Sequence, residues 1–189
     1  MAEVKSPVAY TDLDYIPGEI ILPGLCDVMY FVSRGDIATW PTRDLATPTG
    51  RGKYVGNFVL SEGKKFRILR ATYDGGELTW EDQGTRPGKT ILNKLAVPYP
   101  KNDQAALDNI AGMINDDVVV IFKDRQGFFR VMGAENFPSE VKNSGGSGKG
   151  VTGEGGSKFE ISATDVCPCP IYEGQIDTEG GMVNAPEAA

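Results

Sequence analysis

The chain has 189 residues, including 24 Gly and 12 Pro, and it carries a formal net charge of −7. This length suits one domain with long appendages, and the Gly and Pro content favours turns over helices. The acidic balance argues against a nucleic-acid groove, which needs clustered Lys and Arg. The chain contains no His, the commonest general base and transition-metal ligand, so we expect no enzyme activity, no metal and no cofactor.

The first 25 residues are expected to form an extended N-terminal arm, because three prolines interrupt any regular element. The apolar side chains of this arm are candidates for contacts with a neighbouring subunit, and they include Tyr15, Ile16, Ile20 and Ile21. The start of the chain lacks the basic residues and apolar run of a signal peptide, and no later apolar run could span a bilayer. We therefore expect a soluble product that stays in the cytoplasm until it is assembled.

A polar loop is predicted over residues 34–54, after a first strand at Asp27–Val32. Loops of this length in a compact domain are usually functional or mobile. Two aromatic residues of this loop, Trp40 and Tyr54, are therefore candidates for exposed contacts.

A β-hairpin is predicted over Lys65–Gly84, because Asp74-Gly75-Gly76 is a strong turn signal. In its second strand Leu78 and Trp80 alternate with polar residues, which places Trp80 in the core or in an interface. A second turn leads into another strand at Thr90–Val97.

An amphipathic helix is predicted over residues 102–115, with Asn102 or Asp103 as its N-cap. Its apolar side chains recur with the spacing of one helix face, and they are Leu107, Ile110, Ala111 and Ile114. We expect Leu107, Ile110 and Ile114 to pack in the core rather than in an interface.

Two further strands carry clear burial patterns. Val118–Phe122 is apolar on both faces, which is typical of a central strand covered on both sides. Lys158–Thr164 alternates, with Phe159, Ile161 and Ala163 pointing inward. Residues 134–157 are predicted to be a flexible loop, and residues 176–189 a loose acidic tail.

The glycine-rich loop contains a literal G-x-G-x-x-G at residues 148–153. A dinucleotide site requires a strand before this motif and a helix after it, whereas here a strand follows. We interpret the segment as a linker between strands, in which Lys149 and Val151 are candidates for contacts between subunits. The three cysteines, at positions 26, 167 and 169, form no disulfide framework and are expected to be reduced structural thiols.

Several segments together resemble the major tail proteins, or tail tube proteins, of tailed bacteriophages infecting Bacteroidetes. They are GELTWEDQG at residues 76–84, the strand at 90–97, INDD at 114–117, VVIFKD at 119–124 and PIYEG at 170–174. The similarity covers roughly residues 25–175, and its motifs are structural rather than catalytic.

The resemblance implies a mainly β (α+β) fold: a β-sandwich or rolled antiparallel sheet flanked by one α-helix, with long loops and the N-terminal arm. It implies a structural virion protein, made in the host cytoplasm, whose hexameric rings stack into the tube that conducts DNA during genome ejection. DNA would pass without specific binding, and an acidic lumen would repel its phosphates. The expected partners are other copies of the chain, a tape-measure protein and tail-end proteins, with no membrane.

Two alternatives remain open. One is another phage structural protein, such as a head-decoration, neck or baseplate component. The other is a β-sandwich module that binds host glycans through Trp40 and the loops around it.

Overall fold

Strands dominate residues 10–46, 50–149 and 155–184, which are the residues that the computed structural model describes. The strands are β1 (Leu25–Ser33), β2 (Ile37–Thr39), β3 (Lys53–Tyr54), β4 (Val59–Leu60), β5 (Arg67–Arg70), β6 (Glu77–Gln83), β7 (Thr90–Tyr99), β8 (Val118–Asp124), β9 (Phe129–Met132), β10 (Ser139–Gly146), β11 (Gly156–Asp165), β12 (Ile171–Tyr172), β13 (Ile176–Thr178) and β14 (Gly181–Val183). The α-helix of this described part is α1 (Gln104–Met113), and a 3-10 turn covers Arg34–Asp36. The predicted mainly β fold with one helix is confirmed.

Two large sheets face each other across the main core. The six-stranded sheet has the order β3-β12-β9-β8-β1-β5, and the four-stranded sheet has the order β10-β11-β7-β6. Neighbouring strands are antiparallel except for the parallel pair β3 and β12. Two small two-stranded sheets, β2 with β4 and β13 with β14, pack on the other face of the six-stranded sheet. The described residues therefore form a sandwich whose larger sheet is covered on both sides.

Strand β8 lies between β1 and β9 at the centre of the six-stranded sheet. Its side chains alternate between the two cores: Val118, Val120 and Phe122 face the four-stranded sheet, while Val119 and Ile121 face the two small sheets. All five are at most 2% exposed. The prediction of a central strand covered on both sides is confirmed, because only such a strand has apolar partners for consecutive residues.

Strand β11 confirms the predicted alternation of the Lys158–Thr164 segment. Phe159, Ile161 and Ala163 are 2%, 4% and 5% exposed and face the main core. Strand β7 lies beside β11 and contributes Leu95 and Val97 to the same core.

The predicted hairpin over Lys65–Gly84 is wrong. Strand β5 pairs with β1 in one sheet and β6 pairs with β7 in the other, so the chain crosses between sheets at the Asp74-Gly75-Gly76 signal. A Cβ on Gly75 would collide with Pro98 and would lie 2.8 Å from Thr72 Oγ1. The glycine is therefore required by a close approach to a neighbouring strand rather than by a hairpin turn.

Helix α1 is shorter than predicted and packs by a different face. It begins after Asp103, whose Oδ1 accepts a hydrogen bond from the Ala106 amide at 3.0 Å, which confirms the N-cap. The buried helical residues are Ala106 and Met113. Leu107 and Ile114 are 52% and 63% exposed, so their predicted core role is wrong. Only Ile110 of the predicted face contacts the core.

Two segments that were predicted to be loose contain paired strands. Within residues 134–157, Ser139–Gly146 forms β10 and pairs with β11 from Gly156 onward. Gly156 has φ +137° and its Cβ would lie 2.6 Å from Tyr99 O, so glycine there permits close packing. The predicted loose tail forms the β13–β14 hairpin over residues 176–183, and Ile176 is fully buried.

Candidate assembly surface

The described part of the N-terminal arm, residues 10–24, contains no helix or strand. Its candidate contact residues Tyr15, Ile16, Ile20 and Ile21 are 72%, 65%, 84% and 54% exposed. Leu13 and Leu22 are also more than half exposed. A contiguous segment of exposed apolar side chains is typical of a site that another molecule covers.

The two aromatic candidates of the predicted 34–54 loop belong to a core instead. Tyr54 is 4% exposed, so it cannot contact a neighbouring subunit, and this prediction is wrong. Trp40 is half-buried, with its ring 5.6 Å from the Phe58 ring in an edge-on arrangement. Phe58 also contacts Tyr54 and Tyr172, with ring centroids 6.2 and 5.2 Å apart. Packing between aromatic rings therefore removes much of the Trp40 and Tyr54 side chains from solvent.

Arg43 anchors this loop to the end of β11. Its Nη1 contacts both carboxylate oxygens of Asp165, at 3.0 and 2.8 Å, and the two side chains are 5% and 8% exposed. Its Nε donates to Arg51 O at 2.5 Å, and its Nη2 lies 3.0 Å from Cys167 Sγ. The guanidinium also lies 5.5 Å from the Tyr54 ring centroid. The predicted long loop is thus held by a buried charge pair and interrupted by β2 and β3.

The cysteine thiols near this anchor are protonated at neutral pH. Burial raises the pKa of Cys167, although the Arg43 guanidinium opposes that shift. Burial also raises the pKa of Cys169 to about 12. A thiol with a raised pKa is a poor nucleophile and a poor metal ligand. All three cysteines are free, as predicted.

The described residues contain neither a cluster of potential metal ligands nor a helix that could cross a membrane. No cluster of three or more His, Cys, Asp or Glu side chains in residues 10–46, 50–149 and 155–184 could hold a metal ion. In the same residues no helix is long and apolar enough to cross a membrane.

Of the two remaining candidates, the structure describes Lys149. Lys149 is exposed, a few residues beyond the end of β10. Val151 lies outside the described residues. The predicted contact residues that the structure describes are therefore spread over the arm, the aromatic core and the segment after β10, and the structure does not bring them together.

The four-stranded sheet provides a surface that the sequence analysis missed. Its outer face, opposite the main core, carries interleaved acidic and basic side chains: Glu77, Glu81, Lys94, Glu140, Lys142, Lys158 and Glu160. Lys94 pairs with Glu81, and Lys158 pairs with Glu160 at 2.6 Å. Among the described residues, its edge strands β6 and β10 each have a hydrogen-bonded neighbour on one side only. In the sequence, this face is indicated by the polar residues that alternate with apolar ones in β7 and β11.

Comparison with family models gives no match for this chain. Comparison with curated proteins and with solved structures gives no match either.

Proposed function

We propose that this chain is a structural virion protein, the subunit of a phage tail tube. Copies of the chain associate side by side into hexameric rings, and the rings stack into a conduit through which DNA leaves the capsid. In this proposal the protein is made in the host cytoplasm and resides in the phage tail, where it meets a tape-measure protein and tail-end proteins.

The observation that carries the proposal is the four-stranded sheet, whose two edges are open among the described residues. Its strands alternate in direction and are even in number, so β6 of one copy runs antiparallel to β10 of the next. Head-to-tail addition of such sheets continues the antiparallel ladder without a break. Open edges are an aggregation hazard in a monomer, and a closed ring removes them.

The dimensions of the closed sheet suit a DNA conduit. Six copies of the four-stranded sheet give 24 strands. With strands about 4.8 Å apart and tilted by about 40°, such a barrel is roughly 48 Å across, wide enough for duplex DNA. The outer face of the sheet would line it, with acids and bases in similar number rather than a basic cluster that would retain phosphates. The proposed lumen is therefore of mixed charge, unlike the acidic lumen that the resemblance implies.

The exposed arm supports the stacking of rings. Residues 10–24 place several apolar side chains in solvent, and covering them on a neighbouring ring would bury this surface. An arm that orders against a neighbour loses conformational freedom only on assembly, so rings can form before tubes.

Electron microscopy of the purified chain tests the proposal, together with mass measurement in solution over a range of concentrations. Six-fold rings or tubes are the expected result. A monodisperse monomer at every concentration would contradict it. Such a monomer that is retained on host glycan beads would favour the glycan-binding alternative, whereas rings that incorporate only into heads, necks or baseplates would favour the other virion role.

A matched pair of charge reversals tests the edge contact. Lys142 lies on the outer face of edge strand β10, and Glu77 and Glu81 lie on the same face of edge strand β6, so the proposed joint brings opposite charges onto one face. We expect Lys142→Glu to weaken ring formation and high salt to relieve the effect, because like charges across paired strands repel. Lys158→Glu makes the same change on the same face in the interior strand β11 and should leave rings intact. Equal behaviour of the two variants would refute the edge assignment.

A further inference from the structure

Trp80 lies at the β6 edge of the four-stranded sheet without a cover. It pairs with Asn93 across β6 and β7, and the Asn93 side chain is buried in the main core. Side chains of directly paired residues lie on the same face, so Trp80 is on the core-facing side of the sheet. Even so, Trp80 is 56% exposed.

A second uncovered apolar surface lies at the opposite, β10 edge. The chain leading into α1 is tied to this edge, since Asn102 Nδ2 donates to Gly146 O at 2.8 Å. The helix then packs on the core through Ala106, Ile110 and Met113. About a quarter of a turn from this contact lies a stripe of three exposed apolar residues, named here the helix stripe: Leu107, Ala111 and Ile114.

The helix stripe faces the β10 edge rather than the six-stranded sheet. The opposite flank of α1, with Asp108, Asn109 and Gly112, borders a groove that is also lined by residues of β1 and β5. Ile114 instead borders a groove lined by Pro138 and Val141 at the start of β10. Ile114, at the end of the stripe, therefore lies beside the β10 edge, and the rest of the stripe is on the flank of α1 that is turned away from β1 and β5.

We propose that Trp80 of one copy packs on the helix stripe of the next copy and buries the apolar surface beside each contact between β6 and β10. This inference rests on the proposed ring. When β6 of one copy joins β10 of another, the core-facing sides of both sheets lie on the same side of the ladder. Trp80 of one copy then lies on the same side of the paired strands as α1 of the next copy. Trp80 and the helix stripe, both exposed in the single chain, cover each other there.

A buried tryptophan at the centre of a joint contributes more than its flanking contacts. We expect Trp80→Ala to weaken association of copies by about 30-fold or more, the effect typical of an interface hot spot. Phe128→Ala is the matched control, because Phe128 is 47% exposed in the turn between β8 and β9 of the six-stranded sheet and belongs to neither β6 nor β10. Both variants should unfold at the temperature of the unmodified chain.

Fluorescence and cross-linking test the contact directly. The chain has two tryptophans, so Trp40→Phe leaves Trp80 as the sole tryptophan. Its emission should shift to the blue when rings form, and Ile114→Ser should reduce the shift. Mixing a Trp80→Cys chain with an Ile114→Cys chain under mild oxidation should give a disulfide-linked dimer, whereas the Trp80→Cys chain alone should not.

The outcomes separate this inference from the proposed function. A chain that stays monomeric under all conditions overturns both. Rings that form with unchanged affinity in Trp80→Ala and give no cross-link between positions 80 and 114 overturn this inference alone. The N-terminal arm could cover the helix stripe instead, and deletion of residues 1–24 tests this. If burial of the stripe in the assembled protein is lost in that deletion but not in Trp80→Ala, the arm covers the stripe and the inference is wrong.

Discussion

Replacing Arg43 with methionine tests whether the buried ion pair holds the segment around Arg43 against the end of β11. The Arg43 and Asp165 side chains are 5% and 8% exposed, and two contacts of 3.0 and 2.8 Å join them. Removing one partner leaves the other charge buried without compensation, which costs about 3–5 kcal/mol. At about 2–4 °C per kcal/mol for a chain of this length, the melting temperature should fall by roughly 6–20 °C.

Thermal unfolding followed by circular dichroism measures the effect. Lys94→Met is the matched control, because Lys94 and its partner Glu81 are 52% and 58% exposed, and such a pair contributes at most about 1 kcal/mol. The double variant Arg43→Met with Asp165→Leu should be more stable than Arg43→Met alone, since it leaves no unpaired buried charge. If Arg43→Met lowers the melting temperature no more than Lys94→Met, the assignment of the pair as an anchor is refuted.

Three further substitutions have expected effects on the free energy of unfolding, measured with urea. Ile121→Ala should lower it by about 2–5 kcal/mol, because Ile121 is fully buried, while Ile68→Ala at a 41% exposed position should change it far less. Asp103→Ala should lower it by about 0.5–2 kcal/mol through loss of the helix cap. The pKa of Cys169 is raised from 9.0 to about 12, so its contribution to stability is present below pH 9 and lost as the pH rises toward 12, at up to about 1.4 kcal/mol per pH unit. Cys169→Ala should lack this loss.

Each of these predictions has an outcome that contradicts it. Equal losses in Ile121→Ala and Ile68→Ala would mean that β8 is not covered on both faces. Asp103→Asn preserves a side-chain acceptor, so an effect as large as that of Asp103→Ala would rule out capping as the cause. Identical alkaline profiles for the unmodified chain and Cys169→Ala would show that the thiol is accessible to solvent.

Local patterns in the sequence identified the elements that local physics controls. The apolar run of Val118–Phe122 predicted a strand with both faces covered, and β8 has that position. Alternation in Lys158–Thr164 predicted which side chains of β11 face the core. Side-chain chemistry within a single helical turn predicted a cap at Asn102 or Asp103, and Asp103 forms it. These features depend on residues that are close in sequence.

Tertiary structure alone decided which strands pair and what covers each apolar face. The turn signal at Asp74-Gly75-Gly76 is the same for a hairpin as for a crossing between sheets, and only the distant partners β1 and β7 distinguish them. The periodicity of α1 identified an apolar stripe but not the neighbour that it meets, so Leu107 and Ile114 lie exposed in the single chain. An apolar periodicity indicates that a set of side chains is buried. Their partner is set by contacts between residues far apart in sequence, and in the proposed ring that partner belongs to another copy.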